Sequence, residues 1–301
     1  MRNILFSVAA VVAVASPVAA GSLHGLTADN RLIAFDRRDP SLITKDLTIT
    51  GLMGGDTLLG IDFRPATGEL WGISSTRLYT IDVHTGAATD RTGGTPFALT
   101  GNSIGFDFNP LVDRIRVVGI DDQDLRLNPL TGGLAFVDGS LIYADGSDMR
   151  AVGSAYANNF AGTLTTTLYN IDAGANGWNL TLQSPPNSGT NTLVAEISGL
   201  VLPLDPDETK VGFDIIGTQQ FGYLSLAEAA GGSAGSGGSY LYRLDLASGA
   251  ATLEGMIGSG APILDLAAPV PEAQALAPVM ASLALAIGWQ WRRRRGEQAE
   301  S

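Results

Sequence analysis

The chain has 301 residues, 45% of them hydrophobic, with 38 glycines and a formal charge of −12. It contains no cysteine, which excludes disulfides, thiolate metal sites and a thiol nucleophile. Between residues 21 and 271 there are 13 basic and 27 acidic side chains, so the body should be repelled by nucleic acid and by anionic membrane surfaces.

Residues 1–20 read MRNILFSVAAVVAVASPVAA. Arg2 precedes an apolar core from Ile4 to Ala15, and Pro17 leads into the small residues Val18-Ala19-Ala20. This is the pattern of a secretory signal peptide, with cleavage expected between Ala20 and Gly21. The apolar core is short for a retained anchor. Export through the inner membrane follows.

From Gly21 onward the chain repeats. Leu59–Gly86 holds three short apolar runs: Leu59-Gly60-Ile61-Asp62-Phe63, Glu69-Leu70-Trp71-Gly72-Ile73 and Leu78-Tyr79-Thr80-Ile81-Asp82. Gly, Pro, Asp and Thr separate them, as expected of strands joined by tight turns. The third run recurs with its last residue at Asp36, Asp82, Asn128, Asp172 and Asp245, at spacings of 46, 46, 44 and 73. The first recurs around Asp62, Asp107, Ala155, Asp214 and Asp265, at spacings of 45, 48, 59 and 51. A period near 45 fits a four-stranded propeller blade. We name its strands A (the Gly-x-Asp run), B (the Trp71 run), C (the run ending in Asp) and D (following Thr-Gly). After Gly21 the chain opens with runs of type B, C and D, and it ends with an A run at Ala261–Leu266. The expected fold is therefore an all-β, five-bladed β-propeller of four-stranded antiparallel blades over 21–268, with both ends sharing one blade. The longer spacings are read as insertions at Ala173–Val201 and at Gly231–Ser239.

The chemistry that the repeats suggest is limited. The aspartates ending strand C suit turn amides two residues on. Those of strand A, Asp62, Asp107, Asp214 and Asp265, would converge on the ring axis. There they would bond backbone amides between blades or, as a ring of oxygen ligands, suit Ca²⁺. No metal site or cofactor is assigned from this pattern. Arg114 and Arg116 share one strand face in the third blade, and Arg126 lies on the next strand. With Asp107, Asp113 and the run Asp121-Asp122-Gln123-Asp124 as candidate partners, they form either a site for an anion or sugar, or a salt-bridge network locking two blades. Asp138-Gly139-Ser140 and Asp145-Gly146-Ser147-Asp148 read first as turns. The only histidines are His24 and His84, and no Gly-x-Ser-x-Gly elbow or phosphate loop occurs.

The C-terminal tail, 269–301, carries Pro271-Glu272, an apolar run from Ala275 to Trp289, Trp291, and Arg292-Arg293-Arg294-Arg295. The apolar stretch, about 275–291, suits a short transmembrane segment whose arginines stay on the cytoplasmic side. The tail resembles a PEP-CTERM sorting signal, departing from it at Ala273, where proline is usual. The resemblance implies an exosortase-type peptidase as partner and delivery to the periplasm, surface or extracellular matrix of a Gram-negative bacterium.

Phrases in the body also match a known family. They include Gly60-Ile61-Asp62-Phe63-Arg64-Pro65, Phe106-Asp107-Phe108-Asn109-Pro110 and Val112-Asp113-Arg114-Ile115-Arg116-Val117. Thr166–Asp172 and Gln183–Thr190 complete the match, which resembles the secreted bacterial domain-of-unknown-function family 4394 over roughly Leu23 to Leu266. The resemblance implies a secreted propeller-like domain, and neither an activity nor a catalytic residue. The expected function is binding or adhesion rather than catalysis, with a polysaccharide as the ligand class considered. The alternative is a carbohydrate-active enzyme using Asp62, Asp107 and Asp214 at the axis.

Overall fold

A computed structural model describes residues 21–270, apart from 102, 175–176, 202–204, 206–207, 219, 228–237 and 259–260. The expected signal peptide with Ala20, the Pro271-Glu272 motif and the apolar tail lie outside the described residues. So does most of the Gly231–Ser239 stretch, which connects two strands of one blade. Among the described residues no helix is long and apolar enough to cross a membrane.

The strands are β1 (Ser22–Thr27), β2 (Arg31–Asp36) and β3 (Asp39–Thr48), then β4 (Gly60–Phe63), β5 (Leu70–Ile73), β6 (Leu78–Ile81) and β7 (Ala88–Asp90). Next come β8 (Ile104–Asn109), β9 (Arg114–Gly119), β10 (Asp124–Asn128) and β11 (Gly133–Val137). After β12 (Ile142–Tyr143) follow β13 (Ala151–Tyr156), β14 (Leu168–Gly174), β15 (Gly177–Gln183) and β16 (Thr190–Glu196). The last are β17 (Lys210–Ile215), β18 (Phe221–Ala227), β19 (Ser239–Asp245), β20 (Ala251–Ile257) and β21 (Ile263–Ala267). They form five sheets, and β21 joins the sheet of β1, β2 and β3. The register of that closure pairs His24 with Ala267 and Leu26 with Asp265. The innermost strands β21, β4, β8, β13 and β17 neighbour one another in a closed cycle. The five-bladed ring expected from the period is the fold.

Turn chemistry sets the blade edges. Asp82 Oδ1 accepts the His84 and Thr85 amides at 2.7 and 3.0 Å, and Asp245 Oδ1 accepts those of Ala247 and Ser248 at 3.0 and 2.8 Å. Asp36 and Asn128 act alike toward Arg38 and Leu130. The glycine closing such a turn, Gly86, has φ +76°, and a Cβ there would sit 2.5 Å from the Thr48 carbonyl of the preceding blade.

Two expectations need correction. Leu168–Asp172 is the second strand of its blade, not the third: β14 pairs with β13 and β15. Ala173–Val201 is consequently no insertion, since it supplies the third and fourth strands, β15 and β16. Alternating apolar residues mark any inner strand, and only pairing tells B from C. Asp172 makes no turn. It accepts the Arg150 amide at 2.8 Å, the Tyr143 hydroxyl at 2.6 Å and the Asn179 amide at 3.1 Å. This blade also carries a fifth strand, because β12 runs parallel to β16. The bridges Thr50–Ala87 and Ser198–Ala250 are shorter forms of the same link between a connection and the next outer strand.

The core is divided among the interfaces between blades. Leu26, Leu58, Ile61 and Tyr79 fill the first. Trp71, Phe106, Phe108 and Leu127 fill the second. Ile171, Leu180, Phe213 and Leu244 lie between the fourth and fifth blades, and Phe35, Leu241 and Ile263 between the fifth and first. Each large apolar side chain so buried is worth roughly 1.5–3 kcal/mol. Between the third and fourth blades the apolar cluster shrinks to Val118, Leu141, Met149 and Ala151 with Tyr143 against them. Polar side chains take up the rest of that interface.

Candidate functional site

Two polar sites stand out, one at the axis and one at the seam between the third and fourth blades. At the axis, Asp62, Asp107, Asp214 and Asp265 are 1–4% exposed. Asp62 Oδ2 accepts the Phe108 amide of the next blade at 2.8 Å, and Asp107 Oδ1 accepts that of Tyr156 at 3.2 Å. Asp214 Oδ2 reaches Ala268 at 2.5 Å, and Asp265 Oδ2 reaches Ile61 at 2.9 Å. Three of the four also accept their own following amide: Phe63 for Asp62, Ile215 for Asp214 and Leu266 for Asp265. At Ala155 the carboxylate is missing, and the cycle has a gap.

Glycine two residues earlier lets the inner strands close up. A Cβ at Gly60 would meet Phe106 Cβ at 2.8 Å, and one at Gly105 would meet the Ser154 nitrogen at 2.4 Å. Burial pushes the Asp214 carboxyl up to about 7. Burial also raises Asp62 and Asp107 well above the usual range, reinforced by the neighbouring carboxylates, and it raises Asp265 as well. One oxygen each from Asp62, Asp107 and Asp214 lies within 4.8 Å of the others, a spacing at which a cation of calcium's size meets several oxygens.

The seam is built from strands β9, β10, β13, β14, β15 and β16 and from the connections that carry Asp138 and Asn187. Arg116 is 1% exposed. Its guanidinium donates to Asp124, to Asp138 Oδ2 at 2.6 Å, to Asn187 Oδ1 at 2.9 Å and to the Tyr156 hydroxyl at 3.4 Å. Arg126 holds Asp138 with two bonds, 2.6 and 2.8 Å, and lies 4.3 Å over the Phe136 ring. The network continues into the fourth blade. Gln183 donates to Asp124 Oδ2 at 2.6 Å, and Asn170 donates to Gln183 and Asn191 at 2.9 Å each. Asn187, Tyr156 and Gln183 belong to the fourth blade, so the network ties two blades together.

A cleft of about 280 Å³ opens beside this seam. Its walls are connections: Pro96-Phe97-Ala98 before β8, Asp122-Gln123 between β9 and β10, and Asp138 and Ser140 after β11. Leu125, Leu134 and Val137 give it apolar surface. Asp122 has φ +67°, and its Oδ1 is buried without a hydrogen-bond partner. Burial raises its carboxyl, with the charges of Asp148 and Asp121 adding to the effect.

Of the predicted site residues, the structure brings Arg116 and Arg126 together at Asp138. Arg114 stands apart, donating to the backbone oxygens of Asp113 and Val112 at 2.9 and 3.5 Å. Asp107 faces Arg116 across the β8–β9 ladder, yet its carboxylate belongs to the axis. Asp113 pairs with Arg64 instead. Asp138, read as a turn residue, is the hub of the arginines. Gln183 and Asn187 lie in the family phrase Gln183–Thr190, which gave them no role, and Asp122 lies in the acidic run expected to partner the arginines, where only Asp124 does so.

The closed ring and its axial aspartates define a five-bladed β-propeller. The chain belongs to the family described as domain of unknown function (DUF4394), whose profile matches residues 31–267. No curated protein matches the sequence. Among solved structures, one chain of a nidogen/laminin complex is similar at 11% identity, TM-score 0.46, over 84% of this chain and 99% of that one. The Dos1 propeller is similar at 14% identity and TM-score 0.37, over 71% and 52%. A quinonprotein alcohol dehydrogenase-like protein from Bacteroides thetaiotaomicron is similar at 12% and 0.33, over 81% and 74%.

Proposed function

We propose that this protein is an exported, non-enzymatic binding propeller that holds a polysaccharide at the cell surface or in the extracellular matrix. The observation that carries this reading is the cleft beside the third blade. It offers apolar surface from Leu134, Val137 and Pro96 with carboxylate, amide and hydroxyl groups around it. Sugars are bound by such pairing, the ring's apolar face on aliphatic or aromatic surface and its hydroxyls on polar groups. The connections that form the walls are free to vary while the blades stay fixed. The enzyme alternative needs Asp62, Asp107 and Asp214 open to a substrate, whereas these side chains are 1% exposed and occupied by backbone amides.

The signal-peptide pattern and the sorting-type tail support delivery outside the cytoplasm. Mass spectrometry of the mature protein tests that part. Loss of residues 1–20 and of everything beyond Pro271-Glu272 is expected, and an intact tail past Trp291 would point to a plain anchor. Affinity electrophoresis through gels containing cell-surface polysaccharide tests binding. Retardation that disappears in Gln123→Ala supports the cleft, and mobility indifferent to every polysaccharide overturns the function.

A further inference from the structure

Resting on the export-and-tail reading, we propose that, until the tail is cut, one face of the disc lies against the lipid bilayer that the tail enters, with the cleft on the face turned outward. The antiparallel order of every blade defines the two faces. A–B and C–D connections leave one of them, and B–C and D–A connections leave the other. The chain departs after β21, an A strand, and so on the A–B side. Val270 still packs against the body, and five residue steps separate it from Ala275, where the apolar run begins. That is at most about 18 Å of extended chain, so a tail seated in the membrane holds this face close to it. The cleft is walled by D–A and B–C connections and lies opposite.

Charge separates the two faces. Among the described residues, the A–B and C–D connections hold Arg37, Arg38 and Arg64 against Glu69, Asp82 and Asp113, a net charge of zero. In the fourth and fifth blades these connections, 157–167, 184–189, 216–220 and 246–250, contain no charged residue. The B–C and D–A connections hold nine carboxylates against Arg77, Arg91 and Arg150, a net of −6. The neutral face also carries apolar side chains that the fold leaves uncovered. Leu164, 87% exposed, stands in the β13–β14 connection, Leu111 and Val112 in that of β8–β9, and Leu130, 74% exposed, in that of β10–β11. They come from two neighbouring blades, as tips that enter a bilayer surface together would. Met53 and Val201 are exposed on the other face, but in connections that also hold Asp56, Asp205 and Glu208. Laying that face on lipid strips water from unpaired charges, which the neutral face avoids.

The chain has no cysteine, so single introduced cysteines take a fluorescent label cleanly. Leu164→Cys, Val112→Cys and, on the opposite face, Gly54→Cys are placed in the full chain with its tail and reconstituted into phosphatidylcholine vesicles containing spin-labelled lipid. Loss of fluorescence is expected at 164 and 112 and not at 54. Val112→Asp with Leu164→Asp should abolish the quenching of a label at Leu130→Cys while the protein still floats with the vesicles. Flotation without quenching at 112 and 164, or with equal quenching at 54, overturns the inference and leaves the tail reading standing. A chain that does not float overturns the tail reading and the inference with it. Shielding of 112 and 164 that follows protein density, without lipid quenching, assigns the face to a second copy and overturns the bilayer as its occupant. Quenching at 130 that persists in the double variant overturns the role of the apolar tips.

Discussion

Asp62, Asp107, Asp214 and Asp265 make the pH response of this protein unusual. Their carboxyls titrate higher in the folded ring than in the unfolded chain, so over that range the native state binds more protons. Stability is then fully present below the ordinary carboxyl range and is lost as pH rises, for Asp214 between about 4 and about 7. The slope is about 1.4 kcal/mol per pH unit for each such group. His24 works in the other direction. Burial, with Lys45 adding to it, lowers its imidazole to about 4, so its share of stability is lost as pH falls from about 6.5 toward 4. One histidine is outweighed by several carboxyls. Urea melts should show stability falling from pH 4 to pH 7. Asp214→Asn removes the charge and keeps an oxygen for only one of the Ile215 and Ala268 amides, and should flatten that slope. Asp214→Ala loses the acceptor and should cost about 1–3 kcal/mol at pH 4. A profile that rises steadily through this range would remove the proton-held ring.

At the scale of the element, inner strands and the seam respond differently to substitution. Gly105→Ala places a methyl 2.4 Å from a backbone nitrogen on the neighbouring strand, and should destabilise by about 1–3 kcal/mol or prevent closure. Gly54, with nothing within 4 Å, is the control, and Gly54→Ala should leave the melting temperature nearly unchanged. In the seam, Arg116→Ala strips the counter-charge from Asp124 and half of that from Asp138, for an expected loss of about 3–5 kcal/mol. Arg126 is 22% exposed, and Asp138 keeps Arg116 when it is removed, so Arg126→Ala should cost clearly less in the same denaturant titration.

These elements also mark what could be read in advance. The Gly-x-Asp phrase of Gly60, Gly105 and Gly212, and the turn phrases Asp82-x-x-Thr-Gly, Asn128-x-x-Thr-Gly and Asp245-x-x-Ser-Gly, repeat because these blades need the same close approach and the same turn. Strand count and ring closure follow from them. Leu168–Asp172 carries the apolar alternation with no Thr-Gly after it, but the third strand ending at Asp36 lacks that pair as well, so strand pairing alone separates the two. The seam was legible in its arginines and in Asp124, the member of the acidic run that pairs with Arg116. Asn170, Thr181 and Asn191 alternate with apolar residues as solvent-facing positions do, but a neighbouring blade covers the face they occupy. The cleft gathers residues near positions 97, 123 and 139 from unrepeated connections, so no period points to it.

For the whole molecule, the closing blade is decisive. Without β21, the edge of β1 and the inner faces of two interfaces are exposed. A chain ending at residue 262 should lose its single cooperative transition and associate, which size-exclusion chromatography would detect as a shift to large species. A truncated chain that elutes and melts as the full ring does would show that closure is dispensable.

The β1–β21 pairing has a mechanical side as well. The strands are antiparallel, with His24 opposite Ala267 and Thr27 opposite Ile263, so both ends of the ring leave from one edge of one ladder. A pull applied between those ends opens the ladder like a zipper, one pair at a time, and yields at low force. A pull between one end and a ligand held beside the third blade loads the disc across its width, through several ladders and the seam together. A copy tethered by one end and gripping its ligand would resist far more than a copy stretched end to end.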